Sequence, residues 1–353
     1  MAVAIQDSAS PESILSTIKE VAKRARVSVG TVSNVINGSC TVSPNLRSRV
    51  ERAISELNYH PNHIARSLKS RRSNTLAIVI SDITNPFFPL VVRGAEDAAS
   101  KRGYLLTIFN TDDHLDREQQ IFAVLRMRRV DGVLVVVSPD SGEGTHLSEM
   151  IAAGIPVVCL DRVPPNVKTD SVLVDNLKGA RICLRHLIGM GHQLVGVISG
   201  PRKLQTARDR VEGYRLALSE AGIPFDAGLL REGDFRFESG YRLAKDLCLS
   251  HPRPTALFAL NCTMGMGAYK AIQELALACP EDVALAVFDE VPGGDIFRPH
   301  LTVVSQPAYD IGYRGADLLI QRLTHQISSD EPVAVMLEPE LKIRQSTSVR
   351  IPR

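Results

Sequence analysis

At 353 residues the chain exceeds the length at which one core stops growing, so two or three domains are expected; its 44% hydrophobic content sits in strand-length runs that exclude a spanning helix. The net charge of +2 hides a division, because residues 1–74 carry eleven Lys/Arg against five Asp/Glu while the remainder carries thirty against thirty-four, which makes the basic end the candidate for a polyanion. Six cysteines without a C-x-x-C pair fit a reducing, cytoplasmic compartment, and nine histidines at no zinc-like spacing give no reason to expect a metal or another cofactor.

Residues 1–16 have an early acid, no basic n-region and no sustained apolar stretch, so they read as a disordered leader rather than a secretory signal. Residues 17–60 then predict three short helices. Thr17 and Glu20 form a capping box ahead of a first helix whose stripe is Ile18, Val21, Ala22 and Ala25. After the turn RVS, Ser28 is placed to cap a second helix, VGTVSNVIN, which stops at Asn37-Gly38. Val32, Val35 and Ile36 share its buried face, leaving Val29, Gly30, Thr31, Ser33, Asn34 and Asn37 outward. A third helix has Ser43 as cap, Pro44 at its first position, and Val50, Ala53, Ile54 and Leu57 as its core stripe.

Two helices across a tight turn fit a helix-turn-helix whose second helix enters the major groove. Asn34 then has the chemistry to pair bidentately with adenine, Val29 to touch a thymine methyl, and Thr17, Ser28 and Asn37 to donate to phosphates. Gly30 allows close approach. A three-helix module that binds protein is the competing reading of the same pattern.

Residues 61–74 form a short basic segment, where Asn62 can cap a helix with Ile64, Ala65 and Leu68 along one side. So short a helix is marginal alone in water, and it is expected to fold only on DNA.

From residue 75 to 350 apolar runs alternate with helical patterns: TLAIVIS, YLLTIFN, DGVLVVV, IPVVCLD, then QLVGVIS, PTALFAL, VALAVFD and LTVVSQ. This predicts an α/β class with parallel, doubly wound sheets, too many strands for one sheet, and hence two lobes. Ligands in such folds bind beyond the carboxyl ends of the strands. At the ends of these runs stand Asp82 with Phe87 and Phe88 nearby, Asn110, Ser138, Asp161, Gly200, Asn261, Asp289 and Gln306. Acids, amides and aromatics of this kind grip a polyhydroxylated ligand or a polar heterocycle, although an Asp after a strand also serves simply as a turn residue. No nucleophile–base set or phosphate loop shows a local signature, so no enzyme is expected.

The segments TIKEVAKRARVSVGTVSNVING, SELNYHPNHIARSLKS, TLAIVISDITNPFF, RVDGVL and PVVCLDR resemble the lactose/purine repressor (LacI/GalR) family of bacterial transcription regulators, from Thr17 almost to the C terminus. The resemblance implies a helix-turn-helix headpiece and a periplasmic-binding-protein-like core with an effector in the cleft between lobes. It places Arg210, Asp161, Asn261, Asp289 and Phe235 at effector-holding positions. It also implies that two hinge helices pair in the minor groove of operator DNA, with Leu68 as a wedge at a central step and Arg66 and Lys69 on phosphates and groove floor.

The division expected is a first lobe of about 75–174 plus 305–330 and a second of about 175–304 plus 331–350. A homodimer on a palindromic operator, with a sugar-like effector and no membrane, is the function these features imply. The tail has no leucine heptad, which favours a dimer. Two alternatives belong to other classes: a regulator answering to a partner protein with a vestigial cleft, and a solute-binding protein. Cys262, where the family usually carries Asp, and Val287, where a glycine is common, leave the effector's identity open.

Overall fold

The computed structural model describes residues 16–36, 42–59, 73–139, 142–327, 329 and 331–348. The chain divides into two units, Met1–Ser73 and Asn74–Arg353. The first holds α1 (Ile18–Ala25), α2 (Val29–Ile36) and α3 (Pro44–Glu56), packed around Val21, Val32, Val35, Val50 and Ala53. Both arms of the Thr17–Glu20 capping box are made. The Ser28 hydroxyl accepts from the Thr31 amide at 3.1 Å, satisfying an orphan N–H at the start of α2. Arg49 of α3 does the same for the other end of α1, donating to the carbonyls of Ala25 at 2.6 Å and Arg26 at 3.2 Å. Ser43 stands at the cap position of α3, but its side chain makes no capping hydrogen bond; Pro44 opens the helix.

The second unit contains two six-stranded sheets. One joins β1 (Thr75–Ile80), β2 (Leu105–Asn110), β3 (Gly132–Val135), β4 (Val157–Leu160), β5 (Asp170–Val174) and β11 (Ala334–Leu337) in the order β11-β5-β4-β3-β1-β2, all parallel. The other joins β6 (Val195–Ser199), β7 (Leu230–Glu232), β8 (Ala256–Ala259), β9 (Ala284–Phe288), β10 (Thr302–Ser305) and β12 (Glu340–Lys342) as β12-β10-β9-β8-β6-β7, with only β12 antiparallel.

Each sheet is covered on both faces, which is why its strands read as unbroken apolar runs. In β1, Leu76, Ile78 and Ile80 pack with α4 (Phe87–Lys101) and α11 (Ala308–Leu323). Ala77 and Val79 face the opposite way, toward α5 (Leu115–Arg128) and α6 (Thr145–Ala152). The second sheet is sandwiched likewise between α7 (Asn176–Gly189) with α8 (Gln205–Glu220) and α9 (Phe237–Leu249) with α10 (Cys262–Glu274). Burying a side chain such as Ile78 fully is worth about 1.5–3 kcal/mol.

The chain passes between lobes after β5, after β10 and after β11. The expected division needs one correction. Residues 331–350 do not all belong to the second lobe, because β11 pairs with β5 and its Val335 and Leu337 pack on the first lobe's core. The proposed hinge segment, with Asn62, Arg66, Leu68 and Lys69, lies outside the described residues, as do Asn37 and the leader through residue 15.

Candidate effector site and DNA-reading helix

The two lobes place equivalent carboxylates at the ends of equivalent strands. Asp161 follows β4, and its amide donates to Val172 of the neighbouring β5 at 3.0 Å; Asp289 follows β9 and donates to Val304 of the neighbouring β10 at 2.8 Å. Both adopt left-handed backbone, with φ of 63° and 76°, and so does Phe235 at 65°. Such conformations cost of order 1–3 kcal/mol each in a non-glycine residue and cluster where function demands them.

One cavity at these strand ends is lined by Asp82, Phe87, Phe88, Asp161, Arg210, Phe235, Asn261, Asp289 and Gln306. Arg210, from α8, is one of its two buried cations, with Arg162. Its Nε donates to Asn176 Oδ1 at 2.7 Å and its Nη1 to the Leu260 carbonyl at 2.7 Å, while the guanidinium lies 3.8 Å over the Phe288 ring. Burial pulls the Arg210 pKa down, and the charges of Asp289 and Asp161 push it back up. Burial likewise raises the Asp289 carboxyl, against the pull of Arg210 and of Gln306, whose Nε2 donates to Asp289 Oδ1.

Among the described residues, Asp161 Oδ1 and Gln306 Oε1 are buried with no protein donor, which makes them acceptors open to a ligand. Asn261 is more constrained: its Oδ1 caps α10 by accepting from the Met264 amide at 3.0 Å. Asp82 also serves locally, accepting from the amide of Thr84 at 2.9 Å and from its hydroxyl at 2.6 Å. Phe87 and Phe88 meet edge to face at 5.1 Å.

Arg162 closes the PVVCLDR segment of the resemblance, but the strand-end pattern does not single it out. It also lines the cavity and donates to Asp113 Oδ1 at 3.1 Å, Ser81 Oγ at 3.0 Å and Asp161 Oδ2 at 3.3 Å. Of the other strand-end residues, Asn110 accepts from the Ile83 amide at 2.8 Å, and the Ser138 amide donates to Glu118 at 2.6 Å; neither lines this cavity. Gly200 backs the Phe235 ring, since a Cβ there would lie 2.1 Å from Phe235 Cζ.

The two departures from the family pattern are accommodated by packing. Cys262 is fully buried, its thiol pushed up to about 12 mainly by burial, and its Sγ lies 3.9 Å from Asn85 Oδ1 of the other lobe. Val287 fits because Gly265 faces it; a Cβ on Gly265 would come within 2.5 Å of Val287 Cγ1. Among the described residues no group of three or more His, Cys, Asp or Glu is placed to hold a metal ion, and no helix is long and apolar enough to cross a membrane.

In the headpiece Val29, Gly30 and Asn34 are exposed on α2, whereas Thr31 and Ser33 are half-buried. Thr17 and Ser28 are exposed at the starts of α1 and α2. This face offers an amide and an apolar contact to a groove.

A two-lobed α/β body with a polar cavity at its strand ends, on the same chain as a helix-turn-helix, defines a ligand-responsive DNA-binding regulator rather than an enzyme. Residues 17–62 match the family of bacterial regulatory proteins, lacI family, and residues 73–339 match the periplasmic binding proteins and sugar binding domain of the LacI family. The chain belongs to the LacI family.

The ribose operon repressor of Escherichia coli (strain K12) is 36% identical over 311 residues, 88% of this chain and 94% of that protein. Among solved structures, the complex of the transcriptional regulator CelR with cellobiose is 34% identical, with a TM-score of 0.71, covering 94% of this chain and 99% of that one. The lac repressor dimer bound to operator and the anti-inducer ONPF is 26% identical, with a TM-score of 0.84 and the same coverage.

Proposed function

We propose that the protein is a cytoplasmic repressor that binds a palindromic operator as a homodimer and takes a neutral monosaccharide, ribose before others, in the interlobe cavity. The observation that carries the effector class is the pair of buried acceptors without donors, Asp161 Oδ1 and Gln306 Oε1, beside the guanidinium of Arg210. Sugar hydroxyls both donate and accept, so one ligand satisfies all three. The lining carries Asp82, Asp112, Asp113, Asp161, Asp234 and Asp289 against Arg162, Arg210 and Arg236, a balance that repels phosphosugars and sugar acids.

A vestigial cleft would leave both acceptors to water alone. The ribose operon repressor among the relatives makes ribose the first ligand to try.

The test is thermal shift with ribose, other pentoses, hexoses, cellobiose, phosphosugars and purine bases, followed by operator binding with each ligand that stabilises. Ribose at a hundred times its Kd raises stability by about 2.7 kcal/mol. Stabilisation by a phosphosugar or a purine alone would overturn the effector class. Gly200→Ala is expected to drive the Phe235 ring into the cavity and weaken ribose binding by about 1–3 kcal/mol in calorimetry. An unchanged Kd would show that the ring does not bound the ligand.

On the DNA side Asn34, exposed on α2, is assigned to an adenine edge. Asn34→Ala is expected to cost about 1–3 kcal/mol on the best operator and to relax one symmetric position in a randomised-site selection. Recovery of the parental consensus by the variant would remove that assignment.

A further inference from the structure

The guanidinium of Arg210 is gripped from behind by a residue that does not itself line the cavity. We propose that Asn176 is a positioning residue for effector recognition, tying the first crossover between the lobes to the ligand through Arg210. The inference rests on reading the cavity as the effector site.

Asn176 is 4% exposed and opens α7 immediately after β5, where the chain leaves the first lobe for the second. Its amide is fixed at both atoms: Oδ1 accepts from Arg210 Nε at 2.7 Å, and Nδ2 donates to the Val174 carbonyl, the last residue of β5, at 3.1 Å. Flipping the amide would set donor against donor and acceptor against acceptor, so one orientation is enforced. The preceding residue is anchored too. Asp175 accepts from the Lys178 amide at 2.8 Å, and its own N–H donates to Leu337, where β11 ends at another crossover.

Arg210 therefore has its Nε on Asn176, its Nη1 on Leu260 and its plane on Phe288. A planar fork held at two donors and one face has no freedom left, and its remaining donors serve the cavity that Arg210 lines. Asn176 and Arg210 both belong to the second lobe while Val174 ends β5 of the first, so a rotation at 174–176 that swings the lobes acts on the Nδ2–Val174 bond and, through the same amide, on its grip of Arg210. Ligand affinity is in this way sensitive to lobe angle, as coupling between effector and DNA requires.

The test uses full-length Asn176→Ala and Asn176→Asp. The aspartate keeps an acceptor for Arg210 Nε, but replaces the donor to Val174 with a carboxylate oxygen facing the carbonyl and adds a charge beside the guanidinium. Without ligand, the Arg210 Nε–H signal, identified by its loss in Arg210→Lys, is expected to exchange slowly with solvent in the parent, rapidly in Asn176→Ala and slowly again in Asn176→Asp. In calorimetry with ribose, Asn176→Ala is expected to weaken binding roughly 10- to 100-fold, and Asn176→Asp to restore most of it. In an Arg210→Lys background Asn176→Ala should add nothing further.

Unchanged Nε–H exchange in Asn176→Ala would overturn the proposal, as would an equal loss of affinity in both backgrounds. If Asn176→Ala does not fold, exchange in Asn176→Asp decides, with rapid exchange counting against the assignment. Failure of the parent to bind ribose would sink the sugar reading alone, because the exchange measurement needs no ligand.

Discussion

Asp289→Asn, and separately Arg210→Ala, are expected to abolish the response of operator binding to ribose while leaving ligand-free operator affinity nearly unchanged. The reason is the arrangement of charge. Arg210 is 4% exposed and Asp289 5% exposed, and burial penalises each charge, so Arg210 depends on Asp289 and Asp161, while Asp289 depends on Arg210 and Gln306 against the like charge of Asp161. A ligand hydroxyl between them exchanges hydrogen bonds with already oriented groups, at little cost for ordering them. Truncating one partner of such a buried charged set typically costs about 2–5 kcal/mol of binding.

The headpiece forms its own compact core, so operator contacts survive the substitutions. Calorimetry with ribose and fluorescence anisotropy on an operator fragment separate the two quantities. A variant whose operator binding tracks ribose along the parental curve would exclude both residues from the effector's contacts.

The legible part of this site comes from how doubly covered sheets look in sequence. Strands buried on both faces are near-continuous apolar runs, so the first polar residue after each run marks the strand end and the ligand face. Asp161, Asn261, Asp289 and Gln306 are readable for that reason. Arg210 and Phe235 are not, because one sits within α8 and the other in a loop before α9; only the family resemblance points to them.

Arg162 immediately follows a strand-end residue, yet its role depends on Asp113 and Ser81, contacts 49 and 81 residues distant that no local pattern announces. Asn176 is hidden as the second half of a capping pair. Strand order is equally silent. YLLTIFN is β2, at the sheet edge, with Leu105 67% and Ile108 49% exposed, and nothing in the run sets it apart from the central strands. The short β7 and β12 carry too few apolar residues to signal a strand, and β11, apolar at all four positions, is half-exposed at the sheet edge.

A second large effect is expected at Glu118, which does not line the cavity. Its side chain is completely buried in α5, where its carboxylate accepts from the Ser138 amide at 2.6 Å and lies 2.6 Å from His146 Nε2. Burial alone pushes a carboxyl up, but here the bonds from His146 and Ser138 outweigh it and leave Glu118 below its ordinary value. An ionised carboxylate only accepts, so His146 Nε2 carries the proton of that bond. The pair fastens the segment after β3 to α5 and to the start of α6, with Phe122 edge-on to the imidazole at 4.9 Å.

Because the folded-state pKa lies below the unfolded one, Glu118 contributes stability that is fully present above the ordinary carboxylate range and lost as pH falls through the folded value. Glu118→Ala strands a buried N–H and a buried imidazole. It is expected to lower unfolding free energy at neutral pH by about 3–5 kcal/mol in urea titration. Glu118→Gln keeps the acceptor for Ser138 and should recover part of that loss, with less decline in stability than the parent between pH ~4.5 and the acid limit. A Glu118→Ala protein within about 1 kcal/mol of the parent would show that the segment after β3 is held by packing instead.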